Sequence, residues 1–125
     1  MSKKVLIADD EQNIVLSLEF LLEQGGFEVR SVGDGQAALD AVAEFEPDLL
    51  VLDVMMPRKN GYEVCQALRA DPARQGLKIV MLSAKGRDIE VSKGMELGAD
   101  AYVTKPFSTR ELVAKVRELL GAGPA

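Results

Sequence analysis

Five polar residues in this 125-residue chain follow apolar runs in a pattern that could assemble a reaction site. Asp9 and Asp10 come directly after Val5-Leu6-Ile7-Ala8, and Asp53 after Leu49-Leu50-Val51-Leu52. Ser83 follows Ile79-Val80-Met81-Leu82, and Lys105 closes the stretch that begins Ala101-Tyr102-Val103. Three carboxylates gathered in one place repel one another. At about 5 Å and an effective dielectric near 20, each pair costs roughly 3 kcal/mol. A divalent cation relieves that repulsion, and a donor set of oxygens alone points to a hard ion, Mg²⁺ before a transition metal. Mg²⁺ keeps several waters and pairs with phosphate, so it could bridge the carboxylates and an incoming phosphoryl group. Lys105 adds a fixed positive charge, and Ser83 a hydroxyl that can donate to a phosphoryl oxygen. An aspartate nucleophile, a metal, a lysine and a hydroxyl donor are the parts of phosphoryl transfer onto a carboxylate.

Those residues need elements to bring them together. The apolar runs predict strands at 5–8, 27–32, 49–52, 79–82 and 101–103. Between them, helical spacing predicts helices over 13–23 (Ile14, Leu18, Leu21, Leu22), 36–45 (Ala38, Leu39, Val42, Ala43) and 61–70 (Val64, Leu68). A weaker helix over 89–97 carries Gly94 inside it, and a final helix over 109–120 has Leu112, Val113, Val116, Leu119 and Leu120 as its stripe. Gly33-Asp34-Gly35 reads as a turn. Strands one, three and four are continuously apolar, as strands buried on both faces are, so the expected fold is α/β with a five-stranded parallel sheet and helices on both sides. The flavodoxin-like order 2-1-3-4-5 reverses between strands one and three, which puts Asp9, Asp10 and Asp53 around one crevice at the carboxyl edge. The expected organisation is one domain over 1–120, with 121–125 as a flexible tail or the start of a linker.

Composition removes several classes of function. There is no His, hence no histidine base, metal ligand or phosphohistidine. The net charge of −5 disfavours direct nucleic-acid binding. Cys65 is the only cysteine, and no apolar run reaches the length of a membrane span. The basic start is followed by too short an apolar stretch for a secretory signal, so the expected location is the cytoplasm.

With the motifs in view, the chain resembles the receiver domains of two-component response regulators over about residues 3–120. The matching stretches are Ile7-Ala8-Asp9-Asp10-Glu11, Leu52-Asp53-Val54-Met55-Met56-Pro57 with Gly61, Leu82-Ser83-Ala84 and Lys105-Pro106-Phe107. The resemblance implies that Asp53 accepts a phosphoryl group from a phosphohistidine on a histidine kinase or phosphotransfer protein. It implies Mg²⁺ held by Asp10, Asp53 and the main-chain carbonyl of Met55, with Asp9 acting through water. Lys105 would pair with Asp53 and then with the phosphoryl oxygens, Ser83 would move to hold them, and Tyr102 would change burial in step. The Lys105-Pro106 bond would be cis. Such a domain is not an enzyme toward other substrates and catalyses only its own phosphorylation and dephosphorylation. Its output is the surface of segments 89–97, 101–104 and 109–120, offered to a downstream protein or a fused output domain, without membrane or nucleic-acid contact of its own. Glu96, Asp100, Glu111, Lys115 and Arg117 resemble the charge set of receivers that dimerise on phosphorylation, whereas Val91 and Ala101 depart from it.

Plainer roles stand beside these. Asp9 and Asp10 could cap the first helix, Ser83 could cap the segment after it, and Asp53 could be a turn residue. Lys105 could be a surface lysine and Tyr102 a half-buried strand aromatic. Cys65, beside Val64 and Leu68, reads as a small buried hydrophobe, and Arg110, Glu111, Lys115, Arg117 and Glu118 as a solvated helix face. Competing functions are a haloacid-dehalogenase-type hydrolase, which wants a carboxylate where Met55 stands, and a flavin carrier, whose first loop would not be Asp9-Asp10-Glu11. A receiver-like module that only binds a partner is the remaining alternative.

Overall fold

The computed structural model describes residues 3–56, 58–84 and 98–121. The expected helix over 89–97 and the tail 122–125 lie outside the described residues, as does Pro57. Strands β1 (Lys4–Ala8), β2 (Glu28–Val32), β3 (Leu49–Asp53), β4 (Lys78–Ala84) and β5 (Ala101–Lys105) form one parallel sheet in the order β2-β1-β3-β4-β5. Helices α1 (Gln12–Gln24), α2 (Gly35–Phe45), α3 (Gly61–Arg69) and α4 (Thr109–Leu120) cover it. A short 3₁₀ turn, Pro72–Arg74, leads from α3 toward β4. The α/β expectation and its strand order hold.

The continuous apolar strands feed two cores, because successive side chains point to opposite faces. Leu6, Leu50, Leu52 and Met81 face α2 and α3, where they meet Val42 and Val64. Val5, Ile7, Val51 and Leu82 face the other way and pack on α1 and α4 through Leu18 and Leu112. β2, at the edge, is mostly exposed or half-buried.

Helix starts follow from local chemistry. Asp34 Oδ1 accepts from Ala37 N at 2.8 Å, so Asp34 caps α2 and Gly35 is its first residue rather than the end of a turn. Asn60 and Glu63 form a capping box on α3, and Ser108 caps α4. On α2 the buried face is Ala38, Ala41, Val42 and Phe45, while Ala43 is exposed. Of the expected stripe, Ala38 and Val42 are buried and Leu39 packs half-buried against the same core, so Ala43 alone was misplaced, an alanine that a spacing rule does not tell from Ala41. On α1, Val15 joins Leu18 and Leu22 in the core.

The amino edge of the sheet is tied by one arginine. Arg69, at the end of α3, donates through Nη2 to Asp100 Oδ2 at 2.7 Å and through Nε to the carbonyl of Gly98 at 2.9 Å. Asp100 Oδ2 also accepts from Ile79 N at 2.8 Å, which joins the starts of β4 and β5. Among the described residues no helix is long and apolar enough to cross a membrane.

Candidate functional site

The chain leaves β1 for β2 on one side of the sheet and returns to β3 on the other. At that reversal the loop after β1 faces the end of β3. Asp9, Asp10 and Asp53 each place one carboxylate oxygen within 4.8 Å of the others. Asp9 and Asp53 are buried and Asp10 is exposed. Asp53 is the last residue of β3 and only 4% exposed, so it is not a turn residue.

Lys105, the last residue of β5, reaches across to this cluster. Its Nζ lies 3.3 Å from Asp53 Oδ2 and 3.5 Å from Asp9 Oδ2. It donates a still shorter hydrogen bond to Glu11 Oε1. A side chain enclosed by three carboxylates is not an ordinary surface lysine. The Lys105–Pro106 peptide is cis, as the resemblance implied. Asp53 Oδ1 accepts from Met55 N at 3.3 Å, and Asp9 Oδ1 from Glu11 N at 2.9 Å.

Neither Asp9 nor Asp10 caps α1. The N-cap is Glu11, and its side chain makes no capping hydrogen bond. The buried Asp9 Oδ2 has no hydrogen-bond partner among the described residues. Its nearest cation is the Lys105 ammonium at 3.5 Å, which it shares with Asp53 and Glu11, so a further cation beside this buried oxygen would offset the charge left over. With three carboxylates converging and no nitrogen or sulfur ligand among them, the residues fit a hard divalent ion of the Mg²⁺ type.

The electrostatics follow from the same packing. Burial, then the charge of Asp9, pushes the Asp53 carboxyl up from 3.8 to about 6, against the opposing pull of Lys105 and the Met55 amide. Burial acts to lower the Lys105 ammonium, but the Glu11 hydrogen bond and the charges of Asp53, Asp9 and Glu11 outweigh it and hold the lysine above its usual value. Burial raises the Cys65 thiol, which keeps it an inert core group.

Ser83 lies inside β4, because that strand runs on to Ala84 and does not stop at Leu82. It is one residue beyond Leu82, the ladder partner of Asp53, and opposite Thr104 of β5. Its Oγ is buried and has no hydrogen-bond partner among the described residues, and the segment it could cap lies outside them. Tyr102 is partly buried on β5 against the α2/α3 core. Met55 is 69% exposed, and its amide donates to Asp53 Oδ1.

The loop from Asp53 to α3 is held by close backbone contacts. A Cβ on Gly61 would stand 2.5 Å from the Asp53 carbonyl oxygen, and one on Gly35 would stand 2.0 Å from that of Lys59. Arg58, in the left-handed region at φ 71°, pairs with Asp34 at 3.6 Å. The start of α2 therefore braces the loop after Asp53. Glu11 is the site residue to which the sequence reading gave no role. The available signal was a third consecutive acid on a loop opposite a lone lysine.

The five-stranded, doubly wound sheet with an acidic crevice at its reversal point has the flavodoxin-like fold of CheY-type proteins. The chain belongs to the response regulator receiver domain family, whose model matches residues 5–117. It is similar to a solved chain described as a response regulator from Chloroflexus aurantiacus, at 36% identity and a TM-score of 0.91, covering 97% of this chain and 99% of that one. The receiver domain of the Francisella response regulator 1452 matches at 32% identity and a TM-score of 0.88, over 96% and 98% of the two chains. The BeF₃-activated DrrB receiver domain matches at 34% identity and a TM-score of 0.85, over 97% and 99%.

Proposed function

We propose that this domain is a phosphoacceptor of a two-component system and that Asp53 is the residue modified. The observation that carries the reading is the buried Asp53 carboxylate at the crevice, with Lys105 on one oxygen and the Met55 amide on the other. One Asp53 oxygen attacks the phosphorus of a phosphohistidine on a partner kinase or phosphotransfer protein. The new O–P bond forms as the P–N bond breaks, and the electron pair leaves on the imidazole nitrogen. Asp10, Asp53 and the main-chain carbonyl of Met55 would hold Mg²⁺, with Asp9 through water. When bound, the ion would offset charge on the phosphoryl oxygens. Lys105 then turns from Asp53 to the transferred group, and the buried Ser83 hydroxyl supplies a donor now unused among the described residues.

The unit spans residues 1–120 and acts in the cytoplasm on its own phosphoryl group alone. Ser83 and Lys105 lead into the output surface, of which β5 and α4 are described and segment 89–97 is not. A shift in the population of that surface, rather than an all-or-none change, suits the modest differential energy of one phosphoryl group. Within the charged set that resembles dimerising receivers, two members already have partners in the same chain. Asp100 is engaged by Arg69 and Ile79, and Lys115 pairs with Glu118 at 2.9 Å.

The test is intact mass after incubation with acetyl phosphate and Mg²⁺, beside Asp53→Asn. A gain of about 80 Da in the wild type alone is expected. No gain under excess donor and a short quench would leave the partner-binding module as the reading.

A further inference from the structure

Lys105 has three anionic neighbours, and the one it holds most tightly is not the acceptor. Its shortest contact is to Glu11, whose side chain is 54% exposed, while Asp53 and Asp9 stand farther off at 3.3 and 3.5 Å. Glu11 occupies the N-cap of α1, where a side chain ordinarily serves the helix amides, yet it makes no capping bond and turns to Lys105 instead. Its own amide meanwhile fixes Asp9 Oδ1 at 2.9 Å. One residue thus touches both flanks of the acceptor, Asp9 through its main chain and the lysine through its side chain.

We infer that Glu11 is a positioning residue that parks the Lys105 ammonium at the mouth of the crevice and competes with Asp53 for it. The inference rests on the phosphoacceptor reading and adds a control on its rate. Lys105 must leave Glu11 to serve the phosphoryl oxygens. Of its partners Glu11 is the one free to take up water on release, since Asp9 and Asp53 are buried. The competition is between a wet carboxylate at short range and dry ones farther away. Weakening the wet one shifts the lysine inward.

The experiment compares the full chain with Glu11→Gln and Glu11→Asp. Transfer from acetyl phosphate is followed by intact mass at saturating Mg²⁺, and the Lys105 side-chain nitrogen is observed by NMR without any donor. In that transfer the Asp53 oxygen–phosphorus bond forms while the phosphorus–oxygen bond to acetate breaks, and the electron pair leaves on acetate. Glu11→Gln is expected to move the Lys105 signal and to raise the rate roughly two- to fivefold, the size of one exposed ion pair. Glu11→Asp keeps the charge but shortens the reach, and is expected to follow Glu11→Gln. A wild-type rate in Glu11→Asp beside a faster Glu11→Gln would assign the effect to charge at a distance and overturn the positioning role. An unmoved Lys105 signal, or equal rates with a full adduct in all three proteins, would also overturn it. No adduct in any of them, with the signal moved, would overturn the phosphoacceptor reading instead.

Discussion

Gly61 stands directly against the backbone of Asp53: a Cβ at Gly61 would meet the Asp53 carbonyl oxygen at 2.5 Å and the Val54 Cα at 2.9 Å. The Gly61 amide also donates to the Val54 carbonyl at 2.9 Å. The first turn of α3 is thereby pressed onto the backbone of the proposed acceptor.

Gly61→Ala is therefore expected to destabilise the fold by about 1–3 kcal/mol, since the atoms it meets are main chain and cannot swing aside. A lower urea midpoint with unchanged far-ultraviolet dichroism is the expected result. Because the strain falls on Asp53, phosphoryl acceptance should drop as well. An unchanged midpoint would show that the loop yields freely.

Asp53 gives a pH dependence of unusual sign for an aspartate. Its folded value of about 6 lies above the ordinary 3.8, so between those values the native state binds the extra proton. Its contribution to stability is full below the ordinary value and is lost as pH rises through about 6. In metal-free protein, Asp53→Asn should melt above the wild type at neutral pH, with the gap closing on acidification through that window. Added Mg²⁺ should close the gap from the other side by stabilising the wild type, by about 2.7 kcal/mol at a hundredfold excess over its dissociation constant. Thermal melts of both proteins over pH, with and without Mg²⁺, check it. A constant gap would mean that burial does not hold the acid up.

Ser83→Ala separates folding from function. The Oγ is buried without a partner among the described residues, so its removal should leave the melting temperature unchanged or slightly raised. The phosphorylated form, by contrast, loses a donor to a charged group, and its yield or lifetime should fall about 10- to 100-fold. A clear drop in melting temperature together with normal phosphorylation would assign Ser83 a structural role only.

The sequence by itself determined the fold class and the candidate site residues, and left a few strand orders of which 2-1-3-4-5 is the commonest. Continuous apolar runs can be satisfied only by burial on both faces, and a parallel sheet of alternating strands and helices provides that. Polar residues placed just after such runs then fall on one edge by topology alone, which is why Asp9, Asp10, Asp53, Ser83 and Lys105 could be named. Spacing on α2 was less decisive, because alanines offer little contrast between Ala41, which is buried, and Ala43, which is not. The tertiary structure alone decided which partner each charge takes. Asp100 stood in the charge set that resembles dimerising receivers, and the fold gives it to Arg69, thirty-one residues away, and to the Ile79 amide. Glu11 looked like part of an acidic run until Lys105, ninety-four residues on, turned out to be its partner. Ion pairs of this kind are set by distance and exposure across the sheet, and a linear pattern contains neither.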